Sequence, residues 1–303
     1  MNIYYYLIHC NSIGDNLASF KKHYLAYKLS KENNCKIIAV VHICTTDEIK
    51  EYIVKQNIIL DSFSLNENLM ELYKKAKLFD NYTLIEGIND RVYNNHSESI
   101  SRIIRNFYGN KYTKEINFIE HYPDFWNIFY SIQKNEIVNF YKNQYKFLKK
   151  DTTEEYNIVQ YCSNHYNLMV KDIYNKSVKR ISFNNLCEWI EQSVIKIFKF
   201  IGSYHDYSLT DDVIKRLMIK YPHFIFINLC GEYTLEETYS LIYNCKSLLC
   251  TESFSGFFAG LLDIPSIMYY RNTNLEVMNQ FIPQFKVLDS LQIKLDIKLT
   301  EKD

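Results

Sequence analysis

Glycine and proline are scarce in this sequence, which has 7 glycines and 4 prolines among its 303 residues. Average usage would give roughly 21 glycines and 15 prolines in a chain of this length. The scarcity excludes collagen-like, low-complexity and linker-rich chains. Because 47% of the residues are hydrophobic, an intrinsically disordered chain is excluded as well. The length suffices for one large domain or for two domains of about 150 residues.

An excess of charge is also absent, since 35 Lys and Arg residues balance 35 Asp and Glu residues. Binding to a phosphate backbone needs a basic excess, so the balance argues against a nucleic-acid-binding protein. No apolar run approaches the roughly 18 residues that cross a bilayer. The first ten residues lack the basic leader and the small-residue cleavage site of a secretion signal. We therefore expect a cytoplasmic protein without a transmembrane segment.

The eight cysteines form no Cys-x-x-Cys pair and show no Cys/His spacing typical of a zinc site. We expect reduced, mostly buried thiols and predict no metal site.

The chain contains two clusters of aromatic and basic residues, at 102–114 and 140–150. They leave open a peripheral contact with a membrane or binding of an anionic acceptor, although such clusters are more often ordinary helix faces.

Short apolar runs alternate with helical patterns in both halves of the chain, as in strand-helix repeats with a parallel sheet. The predicted strands are 3–9, 36–43, 58–63, 82–85, 156–161, 195–201, 224–228, 247–250 and 266–270. The predicted helices are 17–29, 47–55, 69–78, 183–192, 210–219, 235–244 and 255–262. A mostly helical stretch bridges the halves at 100–148, and a polar loop follows the strand at 156–161.

This pattern predicts an α/β protein with two doubly wound, Rossmann-like domains facing across a cleft. The N-terminal domain, with the helical bridge, would span 1–150, and the C-terminal domain 151–303. Ligands of such sheets bind beyond the carboxyl ends of the strands. The loops that follow strands are therefore the places to look for chemistry.

The loop after the first predicted strand contains Gly14, Asp15 and Asn16 at the start of a helix. Glycine supplies a backbone conformation that other residues rarely adopt, and few glycines are available in this chain. Asp15 fits two roles. It is either an ordinary helix cap or first-turn acid, which is the more common case, or a general base that faces the cleft.

A second candidate region begins near Gly231, where Thr234 and Glu237 have the spacing of a capping box. Beyond it, the predicted strand ending at Cys250 leads into a cluster of small polar residues and then a helix. The cluster and helix start contain Thr251, Glu252, Ser253, Ser255 and Gly256. Exposed amides at such a helix start bind anions, typically phosphate, whereas the alternative is a structural turn with Ser and Thr as caps. No G-x-G-x-x-G or Walker-type sequence is present, which argues against a dinucleotide dehydrogenase or a P-loop enzyme.

These loops resemble glycosyltransferase family 9, which contains the bacterial lipopolysaccharide heptosyltransferases and has the two-domain GT-B fold. Residues 13–19 are similar to the family's N-terminal Gly-Asp motif, and residues 252–257 stand in the place of its Asp-Thr-Gly-x-Ser-His stretch. Pro265 falls at the family's offset, and segments 229–231, 234–237 and 242–246 also agree. Three positions depart from the motif: the Asp is Glu252, the Gly is Phe254 and the His is Phe257.

The resemblance implies roles for individual residues. Asp15 would be the catalytic base, and Lys179 or Arg180 would neutralise the donor diphosphate, although a solvated Lys-Arg pair in a loop is an alternative for these two. Glu252 would touch the sugar or ribose of the donor. The phosphates would be held by Ser253, Ser255 and the amides of Gly256 and Phe257. The remaining predicted contacts are Gly14, Asn16, Gly231 and Thr251.

The resulting functional hypothesis is an inverting, metal-independent sugar transferase. It would need no cofactor, because a nucleotide-diphosphate sugar is its co-substrate, and its acceptor would be the hydroxyl of a glycan, a lipid-linked saccharide or another molecule. One alternative is a non-catalytic GT-B-like protein that binds a sugar or nucleotide or serves as a partner subunit. A third hypothesis is a sugar epimerase of similar architecture.

Overall fold

The structure is a computed structural model. It describes residues 3–8, 17, 24, 28, 36–42, 59–63, 82–86, 131–145, 148–151, 153–164, 178–271 and 288–296. The chain divides into two compact units, Met1–Phe140 and Tyr141–Asp303. The domain boundary near residue 150 stays a prediction.

The first unit contains a four-stranded parallel sheet with the strand order β3-β2-β1-β4. Its strands are β1 (Ile3–Ile8), β2 (Lys36–His42), β3 (Ile59–Phe63) and β4 (Tyr82–Glu86). All four confirm predicted strands. Strand β1 is central, and its Ile3 pairs with Lys36 on one side and Tyr82 on the other.

Helical structure in the first unit is described at a few positions. Leu17, Tyr24 and Lys28 have helical backbones. The Tyr24 ring lies 5.5 Å from that of Phe140, and Lys28 lies 3.9 Å from Glu136. Phe140 and Glu136 belong to α1 (Lys134–Gln144). The helices predicted at 47–55 and 69–78 lie outside the described residues, as do Gly14, Asp15 and Asn16.

The second unit is built on a six-stranded parallel sheet with the order β12-β11-β10-β5-β8-β9. These strands are β5 (Asn157–Gln160), β8 (Ile197–Phe200), β9 (Ile225–Asn228), β10 (Leu248–Thr251), β11 (Ser266–Arg271) and β12 (Leu291–Asp296). Counted along the chain, the six strands lie in the doubly wound order 3-2-1-4-5-6. The order reverses between β5 and β10, which makes this the topological switch point.

Four helices pack with this sheet: α2 (Phe183–Glu191), α3 (Tyr207–Lys220), α4 (Leu235–Asn244) and α5 (Phe254–Leu261). The core includes Val159, Phe198 and Phe200 from the sheet, all completely buried, against apolar side chains of α2 and α3. Phe198 stacks on Phe226, with ring centroids 5.6 Å apart. Helix α3 begins earlier than predicted because a 3-10 turn, Tyr204–Asp206, leads into it.

Three strands of the second unit are not foreseen from the sequence. The predicted polar loop after β5 instead contains β6 (Cys162–Asn164), which pairs antiparallel with β7 (Val178–Arg180). Strand β12 extends the sheet beyond the last predicted strand. Among the described helices, none combines the length and the apolar character needed to cross a membrane.

Candidate functional site

The candidate site lies at the switch point of the six-stranded sheet. Gln160 is the last residue of β5, and the parallel register pairs it with Cys250 of β10. Glu252 and Ser253 follow β10 directly, before α5 begins at Phe254. This is the place where doubly wound sheets bind their ligands.

A compact hydrogen-bond cluster joins β5 to the start of α5. The hydroxyls of Ser253 and Ser255 each lie 2.6 Å from the Gln160 Oε1, and the two hydroxyl oxygens lie 2.8 Å apart. Ser255 is completely buried and Gln160 is 5% exposed. The sequence predicted both serines as phosphate contacts, but it gave no signal for Gln160, whose position depends on strand pairing.

Lys179 and Glu252 form an ion pair beside this cluster, with 3.2 Å between Nζ and Oε2. Their side chains are 10% and 13% exposed, respectively. Lys179 belongs to β7, where it pairs with Ser163 of β6. The alternative of a solvated Lys-Arg pair in a loop is therefore wrong for Lys179, although its neighbour Arg180 is half-buried.

The start of α5 is not closed by its own N-cap residue. Ser253 has the extended backbone of an N-cap, yet its side chain makes no capping hydrogen bond to the helix. The hydroxyl is directed to Gln160 instead. The side chain that normally satisfies a first-turn amide is thus used to tie the helix to the sheet.

The aromatic substitutions at the helix start belong to the packing of α5. Phe257 is 1% exposed and lies in the core. Phe254 is half-buried, and its ring meets the Tyr239 ring edge-on at 6.1 Å. Tyr239 in turn stacks on Phe258, with centroids 4.2 Å apart. Phe257 occupies a core position, so its side chain is not a surface contact.

At two positions of the predicted site, Gly256 and Gly231, the structure shows why glycine is required. A Cβ at Gly256 would lie 2.8 Å from the Cys250 Sγ and 2.9 Å from the Met268 Sδ, so glycine lets α5 approach β10 and β11 closely. Gly231 has a φ of +78°, and a Cβ there would lie 2.7 Å from the Tyr204 Cα. The amide of Gly231 donates to the Gly202 carbonyl at 2.9 Å.

A buried thiol lies beside the serine cluster. Cys250 is completely buried, and burial raises the pKa of its thiol to about 12 despite hydrogen bonds from Ser255, Ser253 and the Gly256 amide. Thr251, the last residue of β10, is 3% exposed. Within the described ranges, no group of three or more His, Cys, Asp or Glu side chains could hold a metal ion.

A separate cavity of about 300 Å³ shares no lining residue with this site. It lies against α4 and the residues before β5. Lys199 pairs with Glu154 there and lies 3.9 Å from the centre of the Tyr156 ring. The remaining lining residues are Asp151, Thr153, Tyr233, Glu237, Ser240, Leu241 and Asn244.

Comparison with solved structures finds proteins with the GT-B fold, the fold that the resemblance of the two loops implied. The glycosyl transferase family 9 protein of Veillonella parvula DSM 2008 superposes with a TM-score of 0.56 and 12% identity, covering 98% of this chain and 88% of that chain. The E. coli heptosyltransferase WaaC, solved with ADP, gives a TM-score of 0.52 and 12% identity, covering 97% and 93%. The fold is of the GT-B type.

Sequence comparisons add no relative to these GT-B structures. No protein-family model matches the chain. No curated protein sequence matches it either. Between this chain and the GT-B proteins, the likeness found by comparison therefore lies in the fold.

Proposed function

We propose that this protein is a glycosyltransferase that takes a sugar from a nucleotide-diphosphate donor, as its resemblance to the heptosyltransferases suggests. The observation that carries the proposal is the buried Lys179 ion pair beside two serine hydroxyls at the switch point. A leaving diphosphate gains negative charge in the transition state, and preorganised cations and donors in a largely buried site stabilise that charge. The proposed enzyme uses these groups without a metal ion.

Lys179 would change partners when the donor binds. In the structure its ammonium is neutralised by Glu252. A diphosphate carries more charge than one carboxylate and would compete for the ammonium. We propose that Glu252 then accepts hydrogen bonds from the sugar or ribose hydroxyls of the donor, with Ser253 and the start of α5 on the phosphates and Arg180 at the edge.

The chemical step would be a single inverting displacement. Asp15, the base proposed from the family resemblance, takes the proton of an acceptor hydroxyl as that oxygen bonds to the anomeric carbon. The bond from this carbon to the diphosphate breaks, and its electron pair leaves with the nucleoside diphosphate. The acceptor would be a glycan, a lipid-linked saccharide or another hydroxyl compound, and we propose that the reaction takes place in the cytoplasm.

Calorimetry with ADP, UDP and GDP tests the donor site. We expect the wild type to bind one of them and Lys179→Met to weaken that binding roughly 10- to 100-fold, the effect of losing a charge-assisted contact. Lys179→Met combined with Glu252→Gln avoids leaving an unpaired carboxylate and should still bind the nucleotide more weakly than the wild type, because the ammonium is missing. Lys215→Met is the matched control, because its ion pair with Asp211 lies on the surface.

Transfer assays with a panel of nucleotide sugars and saccharide acceptors test the chemistry. Wild-type protein should release nucleoside diphosphate only when an acceptor is present, and Asp15→Ala should abolish this release while it preserves nucleotide binding. No binding of any nucleotide and no turnover would refute the proposal.

A second function is suggested by three departures from the family's motif. The family's Asp, Gly and His are replaced here by Glu252, Phe254 and Phe257. In this alternative the chain binds a nucleotide or sugar without catalysing transfer. Nucleotide binding by the wild type without turnover on any donor and acceptor pair would favour it. Conversion of a free nucleotide sugar without an acceptor would point to an epimerase instead.

A further inference from the structure

The cavity beside α4 already holds one alkylammonium group, that of Lys199. This ammonium lies 3.9 Å from the centre of the Tyr156 ring and forms an ion pair with Glu154. The Lys199 side chain is only 15% exposed, and the Tyr156 hydroxyl donates to the Leu241 carbonyl at 3.0 Å, which ties the ring to the helix. A carboxylate and an aromatic face therefore bind an ammonium with an alkyl stem in this cavity.

Two further carboxylates line the cavity, and each of them has one oxygen available. Both bonds that Thr153 donates to Asp151 end on Oδ1, and both bonds that Thr234 donates to Glu237 end on Oε2. Among the residues that the structure describes, no ion pair and no hydrogen bond reaches Asp151 Oδ2 or Glu237 Oε1. Tyr233, which is 42% exposed, lines the cavity as well. The start of α4 therefore repeats the combination of a carboxylate with a tyrosine that binds the lysine ammonium.

The two carboxylates lie at opposite ends of the cavity. The Asp151 amide donates to the Asn244 Oδ1 at 2.7 Å, which places Asp151 at the last turn of α4. Glu237 lies seven residues before Asn244, or about 10 Å along the helix axis. Leu241 and the Tyr156 ring lie between these ends. The cavity therefore has an anion at each end and an apolar middle.

The charges of the lining define which ligands are suitable. Glu154 neutralises Lys199, whereas Asp151 and Glu237 have no cationic partner within the described part of the chain. Hydrogen bonds from the neighbouring threonines hold the pKa of both carboxyls below the ordinary values, so both are anionic at neutral pH. An anionic ligand would be repelled by both carboxylates, and a single ammonium would leave one of them unpaired. Two ammonium groups joined by an alkyl chain match the charge and its spacing.

We infer that this cavity binds a linear diamine or polyamine, with ammonium groups on Asp151 and Glu237 and the methylene chain along Leu241. The volume of about 300 Å³ is at the small end of ligand pockets, as a narrow flexible chain requires. The site shares no residue with the proposed donor site, so the inference does not rest on the proposed function.

Calorimetry at low ionic strength tests the inference with putrescine, cadaverine and spermidine as ligands and butylamine as the control with one ammonium. We expect the wild type to bind at least one of the three amines about 10-fold more tightly than butylamine. Asp151→Asn and Glu237→Gln should each weaken this binding about fivefold, the effect of losing one ion pair. Glu236→Gln is the matched control, because Glu236 lies in the same turn of α4 but does not line the cavity.

Three results would overturn the inference. The first is a folded wild type that binds none of the three amines. The second is equal affinity for butylamine and for the tightest of them. The third is an equal loss in Glu236→Gln, which would assign the binding to the overall negative charge of the helix start. If either carboxylate variant does not fold, Ser240→Lys replaces it, since its ammonium would occupy the cavity, and unchanged affinity in that variant also overturns the inference.

Discussion

Helices α4 and α5 both follow a strand of the same sheet, but their first turns are completed in different ways. Thr234 caps α4: its hydroxyl accepts from the Glu237 amide at 3.3 Å, and the Glu237 carboxylate accepts from the Thr234 amide at 2.8 Å. Ser253 stands at the same position before α5 and bonds to Gln160 instead. A helix start that satisfies its own amides is a stable local unit, whereas one whose cap is diverted depends on tertiary packing.

The glycines next to the two helices show the same contrast. Gly231 precedes α4 and is needed for a positive φ in the turn. Gly256 lies in the first turn of α5 and is needed for close contact with the sheet. Substitutions at the two N-cap positions, Thr234 and Ser253, and at these two glycines should therefore distinguish effects on local helix stability, on tertiary packing and on ligand binding.

The largest loss of stability is expected for Gly231→Ala. The positive φ of +78° strains an alanine, and the clash at 2.7 Å involves the backbone of Tyr204, which cannot rotate away. We expect the free energy of unfolding to fall by about 3 kcal/mol. Urea denaturation measures this, with Glu232→Ala as the exposed neighbouring control; a change below about 0.5 kcal/mol would contradict the packing of the turn against Tyr204.

Gly256→Ala should have the next largest effect. Its Cβ would meet two sulfur atoms, Cys250 Sγ and Met268 Sδ, and the Met268 side chain is flexible enough to yield in part. We expect a loss of about 1 to 3 kcal/mol by urea denaturation. Thr238→Ala, a half-buried position in α4, serves as the control. Unchanged stability would show that α5 does not lie this close to the sheet.

Thr234→Ala should lower the free energy of unfolding by about 1 kcal/mol, as is usual when an N-cap side chain is lost. It should leave nucleotide affinity unchanged. Ser253→Ala should instead weaken nucleotide binding. It should not remove an N-cap, because the Ser253 hydroxyl does not cap the helix. The two variants are compared by thermal unfolding and calorimetry. A loss of nucleotide affinity in Thr234→Ala would erase the distinction between the two helix starts.

The smallest effect concerns acid sensitivity at α4. Hydrogen bonds from the backbone amide and hydroxyl of Thr234 hold the pKa of Glu237 below its ordinary value. A carboxyl with a lowered pKa in the folded state adds stability above its unfolded pKa and loses it as the pH falls through the folded pKa. Between about pH 5 and pH 3, Glu237→Gln should therefore flatten the decline in unfolding temperature. An identical decline in both proteins would refute the link.

Local signals explain which elements could be predicted. The bounds of α4, Leu235–Asn244, match the prediction because a capping box marks its start within four residues. Except for β12, the strands of the two parallel sheets were predictable from their short apolar runs. Strands β6 and β7 have three residues each and find each other across an intervening segment, so no periodicity reveals them.

The site was predictable to a similar degree. Glu252 and Ser253 follow a strand and precede a helix, and Ser255 lies in the first turn of that helix, which is a local pattern. The structure brings these residues together with Lys179. The burial of Lys179 depends on the pairing of β7 with β6, and the contact of Gln160 with the two serines depends on the register of β5 with β10. Both are long-range properties. The predicted roles of Gly14, Asp15 and Asn16 stay predictions, because these residues lie outside the described part of the chain.

The buried thiol beneath α5 offers a way to time the motion of this helix. All five cysteines in the described part of the chain are buried, and a thiol with a raised pKa reacts slowly with alkylating reagents. We expect Cys250 to react only when α5 separates from β10. The rate at which Cys250 is alkylated, followed by mass spectrometry, would report how often the helix opens. A nucleotide bound at the start of α5 should lower this rate.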